Sequence, residues 1–303
     1  MEAHWGIDLG GTKTEGVILQ WNAGKAEVIS RLRIPTQRER GYAYILSRIE
    51  KVVNMLIQDS GLMPECIGFG TPGALDPYTQ HMKNCNTTVL NGMPLQADLE
   101  RMLKVPVRIA NDANCLAVAE TKMGVVKEQI PDAKVIFGLI MGTGVGGGLV
   151  VNDEVIYGRH GIAGEWGHNF LDESGGPCYC GRIGCVETII SGPALEKYYA
   201  SRSNVHIKLP EIIDLAHEGK DQIAKETLER LIHFFGKGLA KVINIIDPDA
   251  IVIGGGLGNI EALYGEEVRN TIKAHLFNPR LDTALLRPKL GDSAGVFGAA
   301  LLW

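Results

Sequence analysis

The sequence predicts an α/β fold with mixed sheets, on three observations. Strand-like apolar runs alternate with amphipathic helical segments along most of the chain. Two strands, 5–9 and 135–141, each lead through a glycine-rich turn into a second strand, at 15–20 and 146–151. Strands joined by such short turns are antiparallel, whereas strands separated by helices are usually parallel, so both kinds of pairing should occur in the sheets.

The helices follow from apolar residues that recur at helical spacing. Pro94 suits the first turn of one helix, and the glycines that end a buried strand at 250–253 should lead into another helix near Asn259. The Pro94 helix covers 94–104, and further predicted helices cover 41–60, 226–246 and 293–303.

The chain length predicts two domains, because 303 residues are long for a single core. We place the boundary just after Asp112, near 113–123. The first domain then covers 1–115, with the last helix, 292–303, packed back on it. The second covers 116–291. The two strand–turn–strand units resemble each other, which suggests an internal duplication.

Composition limits the kinds of function. Apolar residues make up 45% and charged residues 21%, as in ordinary globular proteins. The net charge is −5 without a basic tract, which argues against a nucleic-acid partner. No apolar run reaches the ~20 residues of a membrane helix. No secretory signal is recognisable, so we expect a cytoplasmic protein whose six cysteines form no disulfides.

Asp112 is the candidate general base. It follows Asn111 at the end of an apolar run, 105–110, and an apolar helical stretch, 115–120, comes directly after it. A carboxylate at such a strand-to-helix junction lies at the usual edge of an active cleft in α/β proteins. We interpret it as the base of a phosphoryl-transfer enzyme.

The first glycine turn, Gly10-Gly11-Thr12-Lys13, is a candidate phosphate loop. Glycines let backbone N–H groups approach phosphate oxygens, and the turn adds a hydroxyl and a cation. A plain hairpin turn is the alternative. Asp8, just before the turn, is a candidate Mg²⁺ ligand or a turn-capping residue.

Two further glycine turns strengthen the case for a nucleotide. Gly142-Thr143-Gly144 follows one predicted strand, and Gly254-Gly255-Gly256 ends another. Glycines that end a strand before a helix are typical of adenosine or phosphate contacts. Three such turns in one chain favour ATP as a ligand.

One cluster has the composition of a structural zinc site. His168, Cys178, Cys180 and Cys185 are spaced H-x9-C-x-C-x4-C. Three thiolates and one imidazole complete a tetrahedral zinc shell and leave no position for an activated water. Three free thiols are the alternative.

Two carboxylates flank this cluster. Glu165 precedes His168 by three residues, which could place both on one helical face, and Glu187 follows Cys185 by two. Zinc on one ring nitrogen of His168 would make the other a fixed donor. A donor between two carboxylates suits a polyol such as a sugar. Alternatively, both glutamates only orient the zinc ligands.

Together these residues resemble the ROK family of sugar kinases and sugar-responsive repressors over nearly the whole chain. The resemblance implies an actin-like, ribonuclease-H-like ATPase fold of two domains with a cleft between them, and a homodimer. The motifs that carry it lie at 8–13, 71–73, 111–114, 142–144, 164–168, 178–185 and 291–295.

The resemblance also implies roles for individual residues. Asp112 would take the proton of the sugar hydroxyl, with ATP and Mg²⁺ as cofactors. The sugar-binding positions would be Gly73, Asn111, Glu165, His168 and Glu187.

Four stretches are closest to bacterial fructokinases of the manno(fructo)kinase type. The sequence therefore predicts phosphorylation of the 6-hydroxyl of a free hexose, fructose first and mannose second. Glucose, N-acetylglucosamine and N-acetylmannosamine remain alternatives. So does a non-catalytic sugar sensor, although only seven residues precede Asp8, too few for a DNA-reading domain. The four stretches are 161–169, 177–181, 242–249 and 298–303.

Overall fold

The computed structural model of the chain describes residues 2–303 and separates into two compact units. The first contains the described residues up to Lys134, together with Gly148–Ala163 and Pro288–Trp303. The second contains Val135–Gly147 and Gly164–Arg287. The domains predicted from the sequence, 1–115 and 116–291, divide the chain differently, because the first unit also holds 116–134 and 148–163.

The first unit is built on a five-stranded mixed sheet of order β3-β2-β1-β4-β7. The strand β1 pairs antiparallel with β2 and parallel with β4, and β4 pairs parallel with β7. A small pair, β5-β6, lies beside it. The bounds are β1 Ala3–Leu9, β2 Lys13–Asn22, β3 Lys25–Pro35, β4 Ile67–Thr71, β5 Ala74–Leu75, β6 Met82–Lys83 and β7 Val107–Asn111.

Helices of this unit cover the sheet with apolar faces. The residues Ile45, Ile49, Val52 and Leu56 of α1 are buried in one core with Phe69 and other strand residues. About 25 cal/mol per Å² of buried apolar surface stabilises such a core. The helices are α1 Tyr42–Ser60, α2 Leu95–Leu103, α3 Asp112–Lys122, α4 Val125–Gln129 and, near the C-terminus, α10 Ala294–Ala300.

The helix α10 packs closely on β1 and β4 because both strands present glycine to it. A Cβ at Gly68 would lie 1.8 Å from the carbonyl oxygen of Ala299, and one at Gly6 would lie 2.4 Å from the Ala300 nitrogen. The C-terminal helix therefore belongs to the first unit.

The second sheet has the order β10-β9-β8-β11-β12 and is also mixed, since β8 and β11 are parallel whereas β9 and β10 are antiparallel. The division between the units falls within β9. The bounds are β8 Val135–Met141, β9 Val145–Val151, β10 Glu154–Val155, β11 Ala250–Gly254 and β12 Ala284–Leu286. The helices are α5 Glu187–Ile190, α6 Gly192–Ser203, α7 Leu209–His217, α8 Gln222–Ile246 and α9 Glu266–His275.

The two sheets follow one topology. Read position by position, β3-β2-β1-β4-β7 corresponds to β10-β9-β8-β11-β12, and in each the glycine turn joins the third strand to the second. This order supports the duplication suggested by the sequence.

Most predicted elements are present, with two corrections. The helix expected near Asn259 begins only at Glu266, because two short 3₁₀ turns come first, the glycine-rich Gly256–Asn259 and then Glu261–Tyr264. The last helix is shorter than 293–303 and covers Ala294–Ala300. Among residues 2–303, no helix combines the length and the apolar character needed to span a membrane.

Candidate active site

The first unit gathers its predicted site residues at one sheet edge. The strands β1, β4 and β7 run parallel, so their carboxyl ends meet at the same edge. Asp8 is in register with Gly70 of β4, and Thr71 with Asn111 of β7. Asp112, Gly73 and the first glycine turn follow these strand ends directly.

Asp112 is the first residue of α3, where β7 ends. Its Oδ1 accepts a hydrogen bond of 2.9 Å from the backbone N–H of Ala113, which fixes the carboxylate. The side chain is open to solvent on one side, but surrounding protein atoms desolvate it and raise its pKa above the ordinary range. A positioned carboxylate with increased basicity can accept a proton.

Asp8 forms an electrostatic pair with Asp112. Burial raises the pKa of Asp8 from 3.8 to about 6, with further contributions from the charges of Asp112 and Glu15, while Lys13 and Arg33 act in the opposite direction. A Cβ at Gly295 would lie 3.0 Å from Asp8 Oδ2, so the start of α10 touches this carboxylate. Two neighbouring carboxylates of this kind favour a bound cation.

The first glycine turn is the tight hairpin turn between β1 and β2. The Gly10 N–H donates to the Lys13 carbonyl (2.9 Å), and the Thr36 hydroxyl donates to the Gly10 carbonyl (2.8 Å). Lys13 forms a weak ion pair of 3.4 Å with the exposed Asp292. The turn therefore has the predicted hairpin geometry and also presents a cation at the sheet edge.

Arg38 adds a second cation that the sequence analysis missed. A Cβ at Gly11 would lie 2.9 Å from an Arg38 guanidinium nitrogen and 3.4 Å from the Thr87 hydroxyl. Arg38 is 27 positions from Gly11 in the chain, so no local motif signals this contact.

Asn111 and Gly73 have structural roles that fix their positions. The Asn111 Oδ1 caps α3 by accepting from the Asn114 N–H at 2.8 Å. This leaves the amide nitrogen of Asn111 as a donor. A Cβ at Gly73 would lie 2.4 Å from the Cys85 sulfur, so only glycine fits there.

The other two glycine turns meet in the second unit. They end the parallel neighbours β8 and β11, and Gly254 is in register with Ile140. Gly255 has φ 78°, and a Cβ there would lie 2.3 Å from the Met141 carbonyl oxygen. The Gly192 N–H at the start of α6 donates to the Gly142 carbonyl. Both turns and a helix N-terminus thus lie together, an arrangement suited to phosphate or adenosine binding.

The predicted zinc ligands are brought together in the second unit. One ligand atom from each of His168, Cys178, Cys180 and Cys185 lies within 4.8 Å of the others. His168 Nδ1 is 3.6 Å from Cys178 Sγ, and Cys180 Sγ is 3.6 Å from Cys185 Sγ. A tetrahedral zinc ion with Zn–S distances near 2.3 Å requires ligand separations of about 3.5–3.8 Å. The four residues could therefore hold a zinc ion.

The other ring nitrogen of His168 has a partner that the sequence analysis missed. His168 Nε2 lies 2.8 Å from the Tyr179 hydroxyl, and the two rings pack edge to face at 5.0 Å. Tyr179 is 77% exposed, and partial desolvation raises its pKa to about 12, with further contributions from the charges of Glu187, Cys178 and Glu165. Tyr179 therefore lies within electrostatic range of both predicted sugar-binding glutamates.

Glu187 joins this cluster to a glycine turn. It is the first residue of α5, and its Oε2 accepts from the Val145 N–H at 2.9 Å, directly after Gly144. Glu165 precedes a short 3₁₀ helix, Trp166–His168, rather than lying in an α-helix as the i, i+3 spacing had suggested. The buried Trp166 anchors this segment against Phe137.

Each unit therefore carries half of the predicted residues. The first presents Asp8, Asp112, Asn111, Gly73 and a cationic glycine turn. The second presents two glycine turns and, linked to one of them through Glu187, a ring nitrogen and carboxylates. Such groups can bind a polyol, deprotonate a hydroxyl and hold phosphates.

Comparison with known proteins agrees with this chemistry. A profile of the ROK family matches residues 4–303. An N-acetyl-D-glucosamine kinase of Yersinia pseudotuberculosis is 34% identical over 313 aligned positions, covering 99% of this chain and 98% of that protein.

Two solved structures are also similar. A ROK hexokinase from Thermus thermophilus has a TM-score of 0.87 and 30% identity over 99% of this chain and 97% of its own. A ROK family glucokinase from Streptomyces griseus, solved with glucose and AMPPNP, has a TM-score of 0.75 and 27% identity over 99% and 98%. The predicted actin-like α/β fold is confirmed, and the chain is a member of the ROK family of sugar kinases.

Proposed function

We propose that this sugar kinase transfers the γ-phosphoryl group of ATP to the 6-hydroxyl of N-acetylglucosamine. The full-length relatives that match it at 34% identity are N-acetyl-D-glucosamine kinases, which supports an N-acetylated hexosamine more strongly than fructose, the sugar favoured by the sequence. The position of Asp112 carries the proposal of phosphoryl transfer, because a desolvated carboxylate is fixed there where the parallel strands β1, β4 and β7 end.

In this mechanism, binding and proton transfer are separate tasks. The sugar is held by Gly73, Asn111, Glu165, His168 and Glu187. Asp112 accepts the proton of the 6-hydroxyl as that oxygen attacks the γ-phosphate in line. Little covalent chemistry is left to the protein in such a transfer, so positioning and charge stabilisation supply most of the catalysis.

The nucleotide is assigned to the glycine turns. Gly142, Thr143 and Gly144, with Gly254, Gly255 and Gly256, would contact adenosine and phosphates. The turn Gly10-Gly11-Thr12-Lys13 would neutralise phosphate charge, helped by Arg38. Asp8 would hold Mg²⁺, directly or through water, and a nearby cation would return its raised pKa toward the ordinary range.

We also propose a structural zinc ion on His168, Cys178, Cys180 and Cys185. The ion would supply no activated water, because protein atoms fill all four positions. With Nδ1 committed to the metal, the Nε2 of His168 carries the proton and becomes a fixed donor for a sugar hydroxyl. In the free enzyme, this N–H would donate a hydrogen bond to the Tyr179 hydroxyl, 2.8 Å away.

A coupled ADP-release assay over a panel of free sugars tests the function. The panel contains N-acetylglucosamine, N-acetylmannosamine, glucose, mannose and fructose. We expect N-acetylglucosamine to have the highest kcat/KM. A preference for fructose would support the fructokinase prediction instead. Sugar binding without any ADP release would identify a sugar sensor and not an enzyme.

A further inference from the structure

A cavity of about 290 Å³ lies in the first unit and is lined in part by Asn111. Its apolar lining comes from Ala74, Leu75, Pro77 and Ile109. Tyr157 and Gly161 also line it, and Gly161 lies against Leu75 and Pro77. The cavity is therefore a mixed apolar and polar space that adjoins a proposed sugar-binding residue.

The walls of this cavity are braced. Gly161 has φ 65°, and a Cβ there would lie 2.7 Å from the Leu75 carbonyl oxygen, so the Tyr157 loop approaches β5 closely. The Lys83 ammonium joins the loop after β5 to the Tyr157 loop, since it lies 2.9 Å from the Asp76 carboxylate and 2.6 Å from the His160 carbonyl oxygen. This ion pair, with two backbone N–H bonds, lowers the pKa of Asp76 below its usual range. The space is thus preformed rather than dependent on a ligand.

Most polar groups that line the cavity are already bonded to protein. Gln80 donates to the Pro77 carbonyl, Gln96 to the Val107 carbonyl and Arg108 to the Leu302 carbonyl.

Two hydrogen-bond donors that line the cavity differ from these bonded groups. Throughout residues 2–303, no protein partner is present for the Tyr157 hydroxyl or the Asn111 amide nitrogen. Tyr157 is 40% exposed, so its hydroxyl can be reached by a ligand, and neighbouring protein atoms desolvate the group and raise its pKa to about 12, which keeps the hydroxyl protonated at neutral pH. Free donors beside an apolar wall match a small group with one acceptor oxygen and one methyl.

We propose that this cavity is the subsite for the N-acyl group of the sugar, which deepens the proposed function and rests on it. The Tyr157 hydroxyl donates to the acyl carbonyl oxygen, and the methyl packs against Leu75 and Pro77. An acetamido group of four heavy atoms needs on the order of 100 Å³ by comparison with the ~30 Å³ of a water molecule, so the cavity also has room for a longer acyl chain.

The test compares N-acetylglucosamine with glucose, which lacks the group. Tyr157→Phe should lower the ratio of kcat/KM for N-acetylglucosamine to that for glucose about tenfold, because one hydrogen bond to the acyl oxygen is lost. Leu75→Phe, which fills the cavity, should lower the ratio further. Tyr78→Phe is the matched control, since Tyr78 is an exposed tyrosine between β5 and β6 that does not line the cavity; it should leave the ratio unchanged.

A second measurement needs no variant. The wild-type enzyme should phosphorylate N-propanoylglucosamine with a kcat/KM within about tenfold of that for N-acetylglucosamine, since the cavity exceeds the acetyl group. This measurement tests the subsite even if the Leu75→Phe variant fails to fold.

Two results overturn the proposal. Equal effects of Tyr157→Phe on both sugars, or rejection of the propanoyl sugar, would overturn the subsite and leave the kinase function intact. No turnover of N-acetylglucosamine by the wild-type enzyme would overturn both.

Discussion

At the scale of single residues, the two candidate site carboxylates of the first unit are held in different ways. Asp112 is fixed by its own helix, since its Oδ1 accepts from the next backbone N–H. Asp8 lies two positions before the glycine turn, half-buried and close to α10. Both are desolvated, which raises both pKa values, and the charge of Asp112 adds to the rise at Asp8.

Replacing the proposed base should affect turnover far more than binding. We expect Asp112→Asn to lower kcat by about 10²–10⁴-fold, because general-base catalysis typically contributes that factor. The amide oxygen can still accept from Ala113, so sugar binding measured by calorimetry should remain. Asp132→Asn, at an exposed position before β8, is the control. Turnover near the wild-type value would exclude Asp112 as the base.

Asp8 should make stability depend on pH. Its pKa rises from 3.8 to about 6 on folding, so the folded state binds the proton more tightly. Its contribution to stability is then greatest below pH 4 and falls as pH rises to about 6, with no change above.

Asp8→Asn should therefore stabilise the protein at pH 8 by about 3 kcal/mol at most, since tenfold in proton affinity corresponds to ~1.4 kcal/mol. Urea unfolding without Mg²⁺ at pH 5 and pH 8 measures this. The wild type should lose more stability over that interval than the variant does. An equal pH dependence of both proteins would contradict the assignment.

At the scale of elements, short loops carry the chemistry and the sheets hold them. The zinc loop has little secondary structure of its own: one 3₁₀ turn, Glu173–Gly175, and isolated bridges between Phe170 and Cys185 and between Pro177 and Ile183. A metal ion is the natural cross-link for such a segment.

Removing one ligand should therefore release the metal. We expect Cys180→Ser to lose zinc in elemental analysis and to weaken sugar binding, because His168 is no longer held. Cys66→Ser, outside the cluster, should retain full metal content. Full zinc occupancy in Cys180→Ser would contradict the site.

Adjacent glycines after β11 should respond differently to substitution. No protein atom lies within 4 Å of a Cβ at Gly256, whereas one at Gly255 would meet the Met141 backbone. Gly256→Ala should keep its melting temperature and raise the KM for ATP several-fold, since the free space is where the nucleotide would approach. Gly255→Ala should be destabilised by about 1–3 kcal/mol. An unchanged KM for ATP in Gly256→Ala would place the nucleotide elsewhere.

At the scale of the whole molecule, one topology is used twice, and each copy supplies part of the chemistry. The first copy places carboxylates after its parallel strands, and the second places glycine turns there. Corresponding strand ends are the positions where both side chains and backbone N–H groups are free to meet a ligand.

The resemblance to ROK proteins also implies a homodimer. Two large apolar side chains of the second unit, Ile245 and Phe277, are 81% and 98% exposed. The Asn244 amide holds their segments together through His275 and Phe277. Such surface favours burial in an interface. Light scattering should give about twice 32.8 kDa across a dilution series, and a mass near 33 kDa at all concentrations would refute this.

The sequence by itself determined the elements whose signals are local. Asp112 at a strand-to-helix junction, the three glycine turns and the spacing of the zinc ligands each need only neighbouring residues, so they could be read directly. The helix after β11 was misplaced because glycines there form 3₁₀ turns before Glu266. The sequence predicted fructose, whereas the relatives at 34% identity are N-acetyl-D-glucosamine kinases, because the shared motifs describe the reaction and not its substrate.

Only the tertiary structure decided which distant groups meet. Arg38 lies beside Gly11, and Tyr157 and Asn111 line one cavity, although the members of each pair are far apart in the chain. The Tyr179 hydroxyl lies 2.8 Å from His168 Nε2 within the irregular zinc loop. These contacts depend on how strands and loops pack, and packing joins residues whose separation in sequence carries no periodic signal. The raised pKa values of Asp8 and Asp112 could not be predicted from the sequence for the same reason, since desolvation depends on every atom nearby.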